Sequence, residues 1–532
     1  MAQIILFCLR SYDLIIYRRC CVINVINPIR LKKKKISGHS SVVERLVANE
    51  KVEGSTPFAR SNFMSNDKKL SIKTIFNLAI ENQNKNNFQE AKNLYDEILK
   101  INPTLHEVYN NLGIIFSIEG KNEKAKHNYK KAIDIKPNFI NAHQNLGSLF
   151  QKLGDNQEAK KCFKKVIEID PKLVNAQYNL GLVLQKMGNN EEAKNCFKKV
   201  IKINPKISEA YNNLGVAQSN TGEFKEAIYN YDIAIKNNAN FNNAKENLIS
   251  SLTCSDSDSD NPIVYANNCL KKLHKEFALN DLLKDENLSI FFKNSNKILK
   301  NINENIKGIE FIETQTYRRN SVDLNCKRHH NIFNQEGIIP KFCFSCFKIQ
   351  IEPKDMISLI KLFFIFDDFK FPNNNWRKCM IEIRPEVQGT YKGFIYCSSF
   401  DDAKIILDDI SPILKKNIKY KISIKRGCSE FYSLFPNFKQ TDITKDDFMN
   451  YEERWDYIEK KTDFKENSNT KFMNTLSGLS LSDFLIMNNW FNYAKMIEDH
   501  SYKKVSSNFI YSKFLENKIA NQIEFRRKEF LC

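Results

Sequence analysis

The sequence predicts an all-α superhelical solenoid followed by an α+β domain. Two observations support this prediction: a segment that returns with a fixed period, and a later change to short alternating strands separated by helices. The five residues 109–113 return three times at steps of 34 residues, at 143–147, 177–181 and 211–215. A period of this length is typical of repeat proteins, in which each unit buries its apolar face on its neighbours.

The composition excludes a membrane-spanning protein and favours a cytoplasmic one. Among 532 residues, 81 are Lys or Arg and 62 are Asp or Glu, which gives a formal net charge of +19. The charge is spread along the chain rather than interleaved with aromatic residues, so we do not expect nucleic acid as a partner. The most apolar run, 357–366, is interrupted by Lys361 and too short to span a membrane. Fourteen cysteines in so long a chain indicate reduced thiols.

Residues 1–63 are not expected to belong to the folded protein. Residues 38–61 resemble a glycine transfer-RNA gene read as codons. Residues 54–57 can be encoded with the TTCGA of a TΨC loop, and residues 46–50 with a stem that closes on a GCC anticodon. A protein has no physical reason to satisfy RNA base pairing, so we predict that translation starts at Met64. The alternative is a disordered basic leader.

Several kinds of residue recur at the same period and define one structural unit. A small residue stands in the first helix, an aromatic residue stands in the second, and a proline ends the unit. These residues are Ala79, Gly113, Gly147, Gly181 and Gly215; Tyr95, Tyr129, Phe163, Phe197 and Tyr231; and Pro103, Pro137, Pro171 and Pro205. The pattern resembles the tetratricopeptide repeat over about residues 71–252. The resemblance implies five helix pairs and a capping helix at 242–252, within a domain at 64–252.

An asparagine precedes the leucine of every unit, which helix propensity alone does not favour. These residues are Asn77, Asn111, Asn145, Asn179, Asn213 and Asn247. The series is similar to the asparagine ladder in the superhelix of O-linked N-acetylglucosamine transferase. That resemblance implies that the carboxamides face a concave groove and hold the backbone of an extended peptide. The alternative is a packing role in the helices together with a bias of the genome towards Asn codons.

The second half of the chain begins with a linker and a helix at 253–285, and we recognise no family for residues 286–532. Residues 286–440 are expected to form a Cys-rich α+β domain. Alternating apolar and polar residues predict four strands, and two apolar stripes predict helices. The strands are at 347–352, 379–384, 391–397 and 420–425, and the helices at 355–366 and 401–415. This β-α-β-β-α-β order suggests a ferredoxin-like arrangement.

In that arrangement four cysteines lie at one edge of the sheet and form a candidate metal site. They are Cys343, Cys346, Cys397 and Cys428. Zinc is the expected metal, and an iron–sulfur cluster is the alternative. A rival ligand set is Cys326, His329, Cys343 and Cys346, with spacing similar to a zinc ribbon. A third interpretation is that these thiols are small buried apolar groups in a reducing compartment.

The remaining chain, 441–532, is charged and mainly helical, with an apolar stripe at Phe484, Met487, Phe491 and Ala494. The sequence predicts a scaffold that binds a partner protein or an extended peptide in the groove of its repeats, and its oligomeric state is unknown. The alternative function is a protein-modifying, group-transfer enzyme whose repeats recruit the substrate. We find no catalytic motif, so the catalytic residues of such an enzyme are unknown.

Overall fold

The computed structural model describes residues 71–309, 311–318, 326–384, 387–428, 431, 434–438, 449–463, 474–505 and 513–531. The predicted leader at 1–63 and the predicted start at Met64 lie outside these residues. The described chain forms two compact units, divided between Ala176 and Gln177. Within the described residues, no helix is long and apolar enough to cross a membrane.

The first unit, 71–176, consists of helices that pair as the repeat pattern predicts. Its six complete helices are α1 (Ile72–Asn84), α2 (Phe88–Ile101), α3 (His106–Ile118), α4 (Asn122–Ile135), α5 (Ile140–Leu153) and α6 (Asn156–Ile169). Each pair is joined by a tight turn that contains a residue with positive φ. Gly154, with φ of 83°, ends α5, and the side chain of Asp155 then caps α6 by accepting from the Glu158 N–H.

The small residue and the aromatic residue of a repeat meet at the crossing of its two helices. A Cβ atom on Gly113 would lie 2.6 Å from the ring of Tyr129, and one on Gly147 would lie 3.0 Å from the ring of Phe163. The aromatic ring therefore covers the glycine of its own repeat. The hydroxyl of Tyr95 also reaches the next repeat, where it accepts a hydrogen bond from Asn111. The small residue is what allows the two helices to approach this closely.

The second unit begins within α7 (Val174–Lys186) and continues the repeats. The repeat helices are α8 (Asn190–Ile203), α9 (Ser208–Asn220), α10 (Phe224–Asn237) and α11 (Asn242–Ser251). The helices between the repeats and the sheet are α12 (Pro262–Lys275), α13 (Leu279–Leu282), α14 (Asp285–Asn301) and α15 (Asn303–Ile306). The α+β region contains β1 (Gln315–Arg318), α16 (Cys326–Glu336), β2 (Phe347–Pro353), α17 (Met356–Asp368), β3 (Arg377–Ile381), β4 (Tyr391–Cys397), α18 (Phe400–Asn417) and β5 (Tyr420–Arg426). The remaining α-helices are α19 (Arg454–Asp463), α20 (Leu481–Met496), α21 (Lys513–Ile519) and α22 (Ile523–Leu531).

The five strands form one antiparallel sheet in the order β1-β3-β4-β2-β5. The four predicted strands and two predicted helices are present, and β2 lies between β4 and β5. Neither the edge strand β1 nor the helix α16 was predicted from the sequence. With this additional strand in the sheet, the ferredoxin-like arrangement stays a prediction.

The apolar core of the second unit runs across the predicted boundaries at residues 252 and 440. It includes Leu248 from the last repeat helix, Ile349 and Phe364 from the α+β region, and Trp490 from α20. The indole N–H of Trp490 donates to the Thr314 carbonyl oxygen at 2.9 Å, which fixes α20 against the segment that leads into β1. The last repeats, the sheet and α20 therefore share one core.

A buried ion network fixes the sheet to the loop before α20. The guanidinium of Arg318 on β1 donates to Asp367 on α17, and to Asp483 on α20 at 3.2 Å. The second carboxylate oxygen of Asp367 accepts from the Gly478 N–H at 2.8 Å. All three charged side chains are at most 5% exposed. Burial lowers the pKa of the neighbouring His274, whose Nδ1 accepts from the Leu479 N–H at 2.9 Å.

We expect Gly147→Val to lower the free energy of unfolding by about 1–3 kcal/mol, because the crossing with Phe163 has no room for a side chain. Urea unfolding of the full chain, followed by helical circular dichroism, measures this change. Ser148→Val is the matched control, since Ser148 is the next residue of α5 and is exposed. Equal shifts for the two variants would contradict the close crossing.

We expect Arg318→Met to lower the free energy of unfolding by about 3–5 kcal/mol, because it leaves the buried Asp367 and Asp483 without their cation. The same urea titration measures it. Arg454→Met is the control, because the Arg454 side chain is 78% exposed and its loss should cost less than about 1 kcal/mol. A small effect at both positions would show that the network does not hold the second unit together.

Candidate functional site

The six asparagines of the predicted ladder lie at equivalent positions on the first helix of each repeat. In the first unit, Asn77, Asn111 and Asn145 lie on α1, α3 and α5; in the second unit, Asn179, Asn213 and Asn247 lie on α7, α9 and α11. Their exposure falls along the chain. Asn77 is exposed, Asn111, Asn145 and Asn179 are half-buried, and Asn213 and Asn247 are only 6% and 7% exposed.

In the first unit the carboxamides form a chain of hydrogen bonds between consecutive repeats. Asn111 Nδ2 donates to the Tyr95 hydroxyl at 3.1 Å, and Asn110 Nδ2 donates to Asn111 Oδ1 at 3.3 Å. Asn145 Nδ2 in turn donates to Asn110 Oδ1 at 2.9 Å. Asn110 and Tyr95 were not predicted from the sequence as partners of the ladder. These bonds give the repeated asparagine a structural role as well.

The second unit contains a related set of bonds, in which the tyrosine hydroxyl comes from the first helix of the preceding repeat rather than from its second helix. Asn213 Nδ2 donates to the Tyr178 hydroxyl at 2.8 Å, Asn212 Nδ2 donates to Asn213 Oδ1 at 3.3 Å, and Asn247 Nδ2 donates to Asn212 Oδ1 at 2.9 Å. Because Asn213 and Asn247 are buried, their carboxamides hold neighbouring repeats together and are not open to a ligand from solvent.

The carboxamides of the first unit retain the capacity to bind a ligand. An asparagine side chain offers two N–H donors and two lone pairs on its oxygen. The bond to Asn110 uses one of these four positions at Asn145. Beside Asn145, Gln144 is half-buried, and Ser148 is exposed one helical turn further along α5. We call Asn77, Asn111 and Asn145 the amide face of the first unit.

The cysteines predicted to bind a metal lie near one edge of the sheet. Phe347 of β2 pairs with both Cys397 of β4 and Arg426 of β5, so the ends of these strands are adjacent. Cys346 immediately precedes β2, and its carbonyl oxygen accepts from the Gly427 N–H at 2.7 Å. Cys343 lies in the 3-10 helix Lys341–Phe344, and Cys428 follows β5. In the rival set, Cys326 and His329 lie on α16, where the His329 ring stacks on Phe342.

The metal site at this edge of the sheet stays a prediction. In the part of the chain that the structure describes, no group of three or more His, Cys, Asp or Glu side chains is placed to hold a metal ion. Burial raises the pKa of Cys346 to about 11 and those of Cys326 and Cys397 to about 12. A metal ion that bound here would have to displace the thiol protons.

Comparison with protein families identifies the repeats. Family models for the tetratricopeptide repeat match residues 174–207 and 196–229, and a TPR repeat model matches residues 115–154 and 152–188. Together with the helix pairs at the 34-residue period, these matches show that the chain contains tetratricopeptide repeats over residues 115–229.

Solved structures of other repeat proteins cover about a third of the chain. The crystal structure of MamA is 25% identical with a TM-score of 0.30, and the match covers 31% of this chain and 91% of that one. YrrB, described as a TPR protein with an unusual peptide-binding site, is 22% identical with a TM-score of 0.30. The match covers 32% of this chain and 89% of YrrB. TTC0263, a thermophilic TPR protein from Thermus thermophilus, is 18% identical with a TM-score of 0.27. The match covers 34% of this chain and 99% of TTC0263. Among curated proteins, none matches the chain.

A double-mutant cycle tests the link between repeats. We expect Asn145→Ala to lower the free energy of unfolding by about 0.5–1.5 kcal/mol, because it removes the bond to Asn110, and Asn110→Ala to lower it further, because it also removes the bond to Asn111. The double variant should lose less than the sum of the two single losses, because both remove the same bond. Urea unfolding measures all three variants, with Gln144→Ala as the control. Strict additivity would contradict the bond between Asn110 and Asn145.

Proposed function

We propose that the protein is an interaction scaffold whose first unit binds an extended polypeptide segment of a partner protein on the amide face. The observation that carries the proposal is the series Asn77, Asn111 and Asn145, which lie at one repeat position and are exposed or half-buried. Tetratricopeptide repeats form surfaces of this kind from consecutive first helices.

The chemistry of the amide face favours contact with a peptide backbone. A peptide in an extended conformation presents N–H and C=O groups at regular intervals, and a carboxamide can pair with both. The hydrogen bonds to Tyr95 and Asn110 hold Asn111 and Asn145 in fixed positions before a ligand binds. Because these side chains are already ordered, binding requires little further loss of side-chain entropy.

The side chains beside Asn145 on α5 are polar and uncharged, which suits a ligand without strong charge at this position. Gln144, Ser148 and Gln151 follow one side of α5, and all three are exposed or half-buried. Most lysines of the first unit lie on the second helices. Lys161, for example, is 74% exposed on α6 and pairs with Glu158 of the same helix. Recognition around Asn145 should therefore depend only weakly on salt, in contrast to binding by a basic surface.

The test starts from peptides of random sequence selected by display against the full chain. We expect a selected peptide to bind Asn111→Ala/Asn145→Ala about ten-fold or more weakly than the unsubstituted chain, because two hydrogen bonds to its backbone are lost. N-methylation of the central backbone amides of the peptide should have a similar effect. Fluorescence anisotropy of the labelled peptide measures each affinity.

The matched control is Asn128→Ala, because Asn128 is a half-buried asparagine on the second helix α4, where its side chain donates to the Lys124 carbonyl oxygen. This variant should bind the peptide with unchanged affinity. Unchanged binding by the Asn111→Ala/Asn145→Ala variant, with its helical content intact by circular dichroism, would reject the proposal and leave the ladder purely structural.

A further inference from the structure

Cysteines from separate segments of the second unit meet at the ends of β2 and β5. Cys343 and Cys346 form a C-x-x-C segment, in which the Cys346 N–H donates to the Cys343 carbonyl oxygen at 3.4 Å. The Gly427 N–H donates to the Cys346 carbonyl oxygen at 2.7 Å, and a Cβ atom on Gly427 would lie 3.6 Å from the Cys343 carbonyl oxygen. Because Cys428 is the next residue after Gly427, these backbone contacts bring it beside the C-x-x-C segment.

A further cysteine reaches the same segment from α16. Cys326 is the first residue of this helix. The ring of His329 stacks on that of Phe342 with the ring centres 5.2 Å apart, and Phe342 immediately precedes Cys343. Residues three apart in a helix lie on one face, so Cys326 is on the side of α16 that carries His329. The first turn of α16 therefore meets the C-x-x-C segment.

The thiols of these cysteines are close enough for their charges to act on one another. Burial is the largest cause that raises the pKa of Cys343. Negative charge on Cys428, Cys346 and Cys326 raises it further. Burial also raises the pKa of Cys326 to about 12, with smaller contributions from Cys428 and Cys346. Because a Coulomb interaction weakens with distance, these contributions agree with the proximity that the backbone contacts indicate.

Cys397, which belongs to one of the predicted ligand sets, packs elsewhere. It is part of the core that the sheet shares with the last repeats and α20, and its thiol donates to the Ile395 carbonyl oxygen at 3.7 Å. Cys343 instead belongs to a smaller apolar cluster that includes residues of α16 and α19, and Cys428 packs against that cluster. We call the following four residues the thiol cluster: Cys326, Cys343, Cys346 and Cys428.

Lysines of the sheet supply positive charge beside the thiol cluster. Lys348 Nζ lies 4.0 Å from Cys428 Sγ. Burial dominates the pKa of Cys326 and raises it, and the charges of Lys348 and Lys378 partly oppose that effect. Four thiolates outweigh the charge of a divalent metal ion, so cations placed beside them stabilise the loaded site. The surroundings of the thiol cluster therefore suit a metal ion with four thiolate ligands.

We propose that the thiol cluster binds one zinc ion. Structural zinc sites hold the ion in a tetrahedron of four sulfur or nitrogen ligands, with Zn–S distances of about 2.3 Å. Among the described residues, no three ligating side chains surround a common point, so binding has to rotate the cysteine side chains about their Cα–Cβ bonds. As the four Zn–S bonds form, the four thiol protons pass to solvent. This site is independent of the amide face and of the function proposed for it.

The zinc ion has a structural role in this proposal. It links the start of α16, the C-x-x-C segment and the end of β5, which otherwise share only the small apolar cluster described above. A metal ion can supply the stability that a small core lacks. With four protein ligands the ion keeps no position for water or a substrate, which distinguishes this site from a catalytic one.

The experiment measures the metal content of the full chain, purified under reducing conditions, by inductively coupled plasma mass spectrometry. We expect about one zinc ion per chain. Cobalt(II) in place of zinc should give the visible absorption that is typical of tetrahedral thiolate coordination. Competition with a chromophoric chelator then gives the zinc affinity of each variant.

Substitutions distinguish this ligand set from the two predicted from the sequence. Cys326→Ser and Cys428→Ser should each lower the zinc affinity about ten-fold or more, because each removes a ligand. Cys397→Ser is the matched control for the first predicted set and should leave the affinity unchanged. His329→Phe is the control for the rival set, because it keeps a ring to stack on Phe342 but removes the nitrogen atoms. It should also leave the affinity unchanged.

A second measurement needs no substitution. Alkylation of the unsubstituted chain by iodoacetamide, followed by mass spectrometry of its peptides, reports each thiol separately. Added zinc should slow the alkylation of all four residues of the thiol cluster. Cys269, which is half-buried on α12, is the internal control and should react equally with and without zinc.

Four results would overturn the proposal. They are a chain without zinc, iron and sulfide in place of zinc, unchanged zinc affinity in both Cys326→Ser and Cys428→Ser, and alkylation of the thiol cluster that zinc does not slow. Thermal melting of each variant checks that it is folded. If a serine variant fails to fold, the alkylation of the unsubstituted chain decides the outcome.

Discussion

The structure depends on one constraint: a tetratricopeptide helix pair cannot bury its apolar face alone. Four of the pairs close where an aromatic ring covers a glycine, as Tyr129 covers Gly113, and every further apolar contact has to come from a neighbour. A repeat array therefore needs a cover at its end. In the second unit the last repeat helices have that cover, because Leu248 belongs to the same core as the sheet and Trp490. In the same unit, the buried ion pairs that Arg318 forms with Asp367 and Asp483 link β1 to α17 and α20.

The sequence was sufficient to predict elements that depend on local patterns. The 34-residue period predicted the repeat helices and their turns, because the same residue types meet the same local requirements in each unit. Alternation predicted the four longer strands. It did not predict β1, which has only four residues and no clear alternation. The common core of the repeats and the sheet was also missed, because contacts between distant residues such as Leu248 and Trp490 leave no periodic signal.

For the candidate sites, the sequence identified residues but not their partners. The repeated asparagine was visible from the period, whereas its bonds to Tyr95 and Asn110 require the packing of neighbouring helices. The strand order expected from the sequence places Cys346 and Cys397 near one edge, yet metal ligation also requires several donor atoms around one point.

The central claim is that an extended polypeptide lies on the amide face of the first unit. Site-specific photo-crosslinking tests it most directly, with benzoylphenylalanine in place of Ser148, which is exposed one turn beyond Asn145. The comparison position is Lys161 on the second helix α6, which is 74% exposed. We predict that a peptide selected by the full chain crosslinks at position 148 and not at position 161. Crosslinking at position 161 alone, or equally at both positions, would contradict it.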